Sequence, residues 1–188
     1  MRAHPAGPMH GEFTTPVEVP MLPDSASMAR IDPQIWPATA RRDARGALIV
    51  GGVSVNELAA RHGTPVLVLD EADFRARAAA FQSAYTDRTV PGSVSFAGKS
   101  FLSATTVRWL AEEGLGLDVC TGGELALSLA AGFPSTRISL HGNNKSQAEL
   151  AAALSAGVGR YVLDSLEEVD RLADLAAQAG VVADVLVR

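Results

Sequence analysis

A lysine at the end of an apolar strand is the residue of this chain with the clearest capacity for chemistry. Lys99 follows the segment Val94-Ser95-Phe96-Ala97-Gly98 and precedes a helix-like run from Ser103 to Glu113. A lysine amine held at such a strand end can form a Schiff base with a carbonyl compound. The alternative is a solvated lysine in a strand–helix turn, because lysines are mostly exposed. The neighbouring strand ends help to decide between the two.

Polar residues of reactive types also follow the other predicted strands. Asp118 and Glu124 lie in the segment after the second strand, His141 follows the third, and Arg188 ends the fifth. The carboxyl ends of parallel strands meet at one edge, where barrel enzymes carry their active sites. These residues therefore predict a site for a carbonyl cofactor, and pyridoxal phosphate is the commonest one that uses a lysine.

Each of these residues also has a structural interpretation. Asp118 could be a strand-end cap, Glu124 could serve the dipole of its own helix, and His141 could be an ordinary loop histidine. Lys145 is the alternative amine, and we expect it to be a solvated ammonium with little reason to lose its proton. Cys120 is expected to act as a small buried hydrophobe.

Apolar strands recur along the second half of the chain with a spacing of roughly 22 residues, which is typical of short strand-plus-helix units. They begin near Val94, Leu115, Ile138, Tyr161 and Ala183. A glycine follows each intervening helix and suits the left-handed conformation of a helix C-cap. These glycines are Gly114, Gly132, Gly157 and Gly180.

Three architectures share this repeat. A leucine-rich solenoid needs an L-x-x-L-x-L ladder, which is not present. A doubly wound sheet usually has a glycine-rich turn after its first strand, and Val66–Asp70 is not followed by one. We therefore predict an α/β fold, a partial (β/α)8 TIM-type barrel with about five of eight strands.

The upstream segment predicts a leader and a small β/α region. Residues 1–30 are rich in proline without periodicity, which predicts a disordered leader. Residues 31–70 form a second region and residues 71–188 the barrel portion. Within the second region we expect a hairpin over Ala47–Val53, a helix from Val55 to Arg61 capped by Ser54, and a strand over Val66–Leu69. Asp70 would cap the following helix, from Ala72 to about Tyr85.

Composition excludes several classes of function. The net charge of −5 does not favour nucleic acid or an anionic membrane as partner. Cys120 is the only cysteine, so no internal disulfide and no cysteine-built zinc site is expected. No apolar run approaches the roughly 20 residues of a membrane span, and no secretory signal is evident. We expect a cytoplasmic protein.

Four segments together resemble the diaminopimelate decarboxylases, in the alanine-racemase-like, fold-type III class of pyridoxal-phosphate enzymes. The resemblance extends from about Ile31 to Arg188. The segments are Gly63-Thr64-Pro65 with Val68-Leu69-Asp70, Phe96-Ala97-Gly98-Lys99-Ser100-Phe101, Leu117-Asp118-Val119-Cys120-Thr121-Gly122-Gly123-Glu124-Leu125, and His141-Gly142-Asn143-Asn144-Lys145-Ser146.

The resemblance implies a role for each candidate residue. Lys99 would hold pyridoxal 5′-phosphate covalently, and Asp118 would lie at the edge of the cofactor. Glu124 would support the cofactor, His141 would form part of the pocket wall, and Arg188 would lie near the ring. The implied reaction converts meso-diaminopimelate to L-lysine with loss of CO2, in an enzyme that forms homodimers.

The sequence departs from the family in two ways. Phe96 and Ser100 replace the tyrosine and alanine that usually flank the Ala-x-Lys motif. The phosphate loop, the acid that binds the pyridine nitrogen, the substrate-selecting residues and a C-terminal β domain lie later in the family's chain. We therefore expect an N-terminal portion that is inactive alone. The alternatives are an ornithine- or arginine-type decarboxylase and a non-catalytic half-barrel partner protein.

Overall fold

The chain divides into two units, Met1–Pro37 and Ala38–Arg188. The structure is a computed structural model that describes Asp24, Ser27, Ala29–Thr86 and Gly92–Arg188. The leader predicted over residues 1–30 lies almost entirely outside the described residues. In the first unit, the carbonyl of Asp32 accepts hydrogen bonds from the backbone N–H groups of Ile35 and Trp36, which closes one turn.

A small antiparallel sheet opens the second unit. Its strands are β1 (Arg41–Arg42), β2 (Leu48–Val50) and β3 (Val53–Ser54), in the order β1-β2-β3. Gly51 and Gly52 connect β2 to β3 with φ values of 57° and 82°, the conformation that a two-residue hairpin of this twist requires. Helix α1 (Val55–His62) follows, and Ser54 caps it by accepting the N–H of Asn56. The predicted hairpin and its capped helix are confirmed.

The prediction of a strand over Val66–Leu69 is wrong. This segment joins neither sheet, because no strand among the described residues pairs with it. Its apolar side chains stay accessible, and Leu67 is 93% exposed. An apolar run alone does not make a strand, since the backbone also needs a partner ladder. Asp70 does cap the next helix, α2 (Glu71–Thr86), by accepting the N–H of Asp73.

Alternating strands and helices form the rest of the chain, and every strand is parallel to its neighbours. The five strands follow each other in sequence order across the sheet, β4 to β8. In a doubly wound sheet the order of the strands reverses partway across the sheet, so this sequential order confirms the partial barrel. The elements are β4 (Ser95–Ala97), α3 (Ala104–Glu112), β5 (Gly116–Val119), α4 (Gly122–Ala130), β6 (Ile138–Leu140), α5 (Gln147–Ala156), β7 (Arg160–Leu163), α6 (Leu166–Ala179) and β8 (Val185–Val187).

The core lies between this sheet and its helices. Leu117 and Val119 of β5 are fully buried and belong to one apolar cluster with Leu110 of α3 and Leu150 of α5. Because side chains alternate along a strand, Asp118 points to the opposite face. We call that opposite face, which carries Ala97, Asp118 and His141, the open face.

The helix ends also follow the sequence prediction. All four predicted C-cap glycines have positive φ, between 66° and 84°. They are Gly114, Gly132, Gly157 and Gly180. In the described ranges, no helix has the length and apolar character needed to cross a bilayer.

Candidate active site

Lys99 occupies a tight turn immediately after β4. The turn, Gly98–Ser100, is a single 3-10 turn, and the Ser100 hydroxyl donates a hydrogen bond of 2.8 Å to the carbonyl of Ala97. Gly98 is buried against β5, where an added Cβ would lie 2.7 Å from the carbonyl oxygen of Asp118. The close approach of these two backbones therefore requires glycine beside the lysine. Lys99 itself is exposed, and it forms no ion pair with any described residue.

Asp118 and His141 meet on the open face. Ala97, Asp118 and Ser139 lie side by side on β4, β5 and β6. His141 follows one residue beyond β6, where its N–H donates a 2.7 Å hydrogen bond to the carbonyl of Val119. Its Nε2 lies 3.5 Å from Asp118 Oδ2. Both side chains are only part-buried, so the pair can face a ligand.

The only cysteine lies beside these groups. Burial raises the pKa of the Cys120 thiol, and the negative charge of Glu124 raises it further. The positive charge of Lys99 acts in the opposite direction, which places the amine in the electrostatic environment of the thiol. A thiol of raised pKa is a poor nucleophile at neutral pH, because the thiolate is the reactive form. The prediction of a small buried hydrophobe is only partly met, because Cys120 is part-buried.

Glu124 is turned toward its own loop. One of its oxygens, Oε2, accepts the N–H groups of Cys120 at 2.6 Å and of Thr121 at 3.1 Å. The Thr121 hydroxyl in return accepts the N–H of Glu124, which completes a capping box at the start of α4. The helix-start interpretation of Glu124 is therefore the one its contacts match. Any effect of this carboxylate on a ligand passes through the Cys120–Thr121 backbone.

Arg188 lies at the other side of the sheet. Its N–H donates to the carbonyl of Leu163, and its Nη1 lies 3.2 Å from Asp164 Oδ1. Sequence reasoning did not identify this pairing of Asp164 with Arg188. The structure thus groups Lys99, Asp118 and His141 at three adjacent strand ends. In the described part of the chain, Arg188 forms no hydrogen bond or ion pair with any of those three side chains.

Lys145 is not the solvated amine that the sequence predicts. Its Nζ lies 2.6 Å from Glu168 Oε1, and the two side chains are 1% and 3% exposed. The ammonium also donates hydrogen bonds to the carbonyls of Gly142 at 2.6 Å and Val162 at 2.7 Å. The correction has a tertiary cause, since Glu168 lies 23 positions further along on α6. In sequence, Glu168 has only the pattern of a first-turn carboxylate.

Sequence reasoning also missed a second carboxylate, that of Glu149, which links the start of α4 to the start of α5. Glu149 accepts hydrogen bonds from the N–H of Ser146 at 2.9 Å and from the N–H of Gly122 at 2.7 Å. These backbone hydrogen bonds, that of Ser146 first, lower the pKa of Glu149. The Ser-x-x-Glu spacing predicts its capping box with Ser146, but nothing in the sequence indicates its link to Gly122.

Comparison with known proteins identifies relatives of this chain. The family described as pyridoxal-dependent decarboxylase, pyridoxal binding domain, matches residues 71–188. A diaminopimelate decarboxylase of Mycobacterium leprae is 47% identical over 189 residues, covering 100% of this chain and 39% of the relative. The chain therefore spans well under half the length of that relative.

Solved structures share the fold. The crystal structure of diaminopimelate decarboxylase from M. jannaschii in complex with L-lysine has a TM-score of 0.72 and 26% identity, covering 81% of this chain and 36% of that one. A lysine/ornithine decarboxylase from Vibrio vulnificus, complexed with putrescine, has a TM-score of 0.61 and 26% identity. The match covers 71% of this chain and 35% of the Vibrio chain.

Proposed function

The chain belongs to the pyridoxal-dependent decarboxylases through their pyridoxal-binding domain, and on that premise we propose that it supplies the cofactor-binding part of a meso-diaminopimelate decarboxylase. The reaction would release CO2 from meso-diaminopimelate and yield L-lysine. The identity of 47% with a diaminopimelate decarboxylase along the whole chain supports this substrate class. The relative bound to L-lysine is consistent with it, since L-lysine is the product proposed here.

The placement of Lys99 is the single observation that supports this function best. Its exposed amine stands at the end of β4, next to the strand end that carries Asp118. The chain has only two lysines, and the other, Lys145, is buried in an ion pair. One accessible ε-amine at the active-site edge of a partial barrel fits the aldehyde of pyridoxal phosphate.

The other residues present fit parts of the same cofactor. When bound, pyridoxal phosphate supplies an aldehyde for amines and an electron-withdrawing ring that accepts negative charge. The Asp118–His141 pair would border that ring, with the carboxylate holding the imidazole in one orientation. Glu124 would fix the Cys120–Thr121 backbone, and Asp164 would hold Arg188 toward the open face. Lys99 would hold the cofactor through its ε-amine.

A labelling experiment tests the role of Lys99. The 188-residue chain is incubated with pyridoxal phosphate, reduced with borohydride, digested and analysed by mass spectrometry. We expect a phosphopyridoxyl group on Lys99, because it is the accessible ε-amine, and loss of that label in Lys99→Arg. Lys145→Arg is the matched control and should label as the parent chain does. Label on Lys145 or only on the terminal amine would contradict the proposal.

The substrate is tested in the gene product that contains this chain. Release of labelled CO2 from meso-diaminopimelate should exceed release from ornithine by at least two orders of magnitude in kcat/KM, a discrimination that polar substrate groups commonly give. The ornithine-type alternative has one specific support, the structural similarity to a lysine/ornithine decarboxylase. Equal or greater turnover of ornithine would favour that alternative.

The organisation of the larger protein is also proposed. Residues 31–70 would pack with a C-terminal β domain, and residues 71–188 would be the first portion of the barrel. The separate antiparallel sheet over residues 41–54 supports this division. We further propose a cytoplasmic homodimer acting on a small-molecule substrate, without nucleic-acid or membrane partners, as the negative net charge of −5 favours.

A further inference from the structure

We infer that the buried Lys145–Glu168 pair is a positioning device that orients His141, at the end of β6, and Arg188, at the end of β8. The inference deepens the proposed function and rests on it for the identity of the site. Among the described residues, the side chains of Lys145 and Glu168 form no hydrogen bond or ion pair with Lys99, Asp118 or His141. Their effect is exerted through the backbone and through Asp164.

The Lys145 half of the pair holds the turn that follows His141. Its Nζ donates to the carbonyl of Gly142, the residue next to His141. Gly142 has a φ of 115°, and an added Cβ would lie 3.2 Å from the Cys120 carbonyl. The same Nζ donates to the carbonyl of Val162 on β7. One ammonium therefore fixes the direction in which the chain leaves β6, and ties that turn to the next strand.

The Glu168 half holds the end of β7. Its Oε2 accepts the N–H of Asp164 at 2.9 Å, and Asp164 Oδ1 lies 3.2 Å from Arg188 Nη1. The other oxygen, Oε1, is matched by the charge of Lys145 rather than by a well-aligned hydrogen bond. Arg171 of α6 also donates to the carbonyl of Lys145 at 3.3 Å. The pair thus connects the turn after His141 with the carboxylate that holds Arg188.

Stability alone is a weak reason for such a pair. Removing two charges from water costs much of what their attraction returns, and apolar residues of similar volume often serve a core as well. The Lys145–Glu168 pair differs from an apolar contact in direction. It makes hydrogen bonds to three chosen backbone groups, those of Gly142, Val162 and Asp164. Directed contacts of this kind specify geometry, which a binding site needs to within a fraction of an ångström.

The test replaces both charges together in the 188-residue chain without cofactor. Single Lys145→Met leaves a buried carboxylate unpaired and can unfold the chain, so the informative variant is Lys145→Met/Glu168→Leu. In isotope-labelled protein, NMR follows the His141 ring resonance, assigned by its loss in His141→Gln, and hydrogen exchange of the Asp164 and His141 amides. Arg75→Met is the matched control, because Arg75 pairs with Glu112 and Glu113 at the C-terminal end of α3, and neither glutamate belongs to the Lys145–Glu168 network.

We expect the double variant to exchange the Asp164 amide at least tenfold faster and to shift the His141 ring resonance. The amides of Val119 and Leu140, inside the sheet, should keep their protection from exchange in the double variant. In Arg75→Met, the amide exchange rates and the His141 ring resonance should all match those of the parent chain. An unchanged His141 resonance, or loss of protection throughout the sheet, would overturn the inference. Because no cofactor is used, these outcomes are independent of the labelling of Lys99, which tests the proposed function.

Discussion

At the scale of single residues, the two lysines of the chain show how environment separates identical side chains. Lys99 stands exposed on a short turn, whereas the Lys145 ammonium is enclosed by one carboxylate and two carbonyls. A bound proton and three close oxygens leave Lys145 no free lone pair for a carbonyl compound. The choice of reactive amine is therefore made by packing, not by residue type.

The thiol of Cys120 should react slowly. Because burial raises its pKa, only a small fraction is thiolate at neutral pH, and alkylation requires that form. We expect iodoacetamide to modify Cys120 at pH 7.5 several-fold more slowly than it modifies free cysteine. The rate should still be rising above pH 9. Mass spectrometry of the chain, which has one cysteine, measures this directly. A rate equal to that of free cysteine would contradict the assigned environment.

Removal of one partner of the buried pair should be costly. We expect Lys145→Met to lower the free energy of unfolding by about 3–5 kcal/mol, because Glu168 is left as an uncompensated buried charge. Urea denaturation followed by circular dichroism measures this. Lys145→Met/Glu168→Leu should recover most of the loss. A Lys145→Met variant as stable as the parent chain would contradict this account, because the Glu168 carboxyl would then have to be hydrated or protonated.

The sequence predicted Lys99, Asp118 and His141 as neighbours for a definable physical reason. Strand ends in a parallel sheet lie together, so their residues converge wherever the strand positions are correct. The burial of Lys145 depends instead on Glu168 and on two carbonyls, one of them on the next strand. No local pattern carries such a contact, because the partner residue already has a complete local interpretation as a helix-start carboxylate.

At the scale of elements, the helices after the strands begin in a common way. Ser103, Thr121 and Ser146 each close a capping box at the start of α3, α4 and α5. These signals are short-range, which is why the helix starts could be predicted. The Val66–Leu69 prediction failed because a strand depends on a distant partner. Local propensity specifies helix ends more completely than strand pairing.

Glu149 should make stability sensitive to acid. Its pKa is lowered by backbone hydrogen bonds, so it stabilises the fold above its ordinary pKa of 4.5, and this contribution falls as pH drops through the lowered value. We expect Glu149→Gln to be less stable than the parent chain at pH 7, by about 1 kcal/mol for a lost cap. The difference should shrink toward pH 3. Thermal unfolding at both pH values measures it, and a constant difference would contradict this account.

At the scale of the whole molecule, the strands of the parallel sheet differ in how many neighbours they have. The central strands β5 to β7 have neighbours on both sides, whereas β4 and β8 each pair with one strand among the described residues. Val187 of β8 is 83% exposed, while Val119 of β5 is fully buried. A parallel sheet usually has both faces covered, so the open face and the two outer strands are less protected than the centre of the sheet.

Hydrogen exchange should follow this order. We expect the amides of Val119 and Leu140 to exchange at least a hundredfold more slowly than that of Val185, because opening the sheet centre requires wider unfolding. Exchange of the 188-residue chain, measured by NMR, provides the comparison. Uniform protection from β4 to β8 would show that something covers the outer strands in solution, and self-association would be the first explanation to examine.

The short-range capping boxes have a consequence for how such chains can be recombined. Each of α3, α4 and α5 carries the side chains that start it within four residues, so a strand–helix unit moved into a related protein keeps its own helix start. Glu149 is the exception, since it also serves Gly122 in the preceding unit. A chimaera joined between α4 and α5 should therefore lose the Glu149–Gly122 contact, and one joined between α5 and α6 should separate Lys145 from Glu168, unless the homologue supplies the same partner.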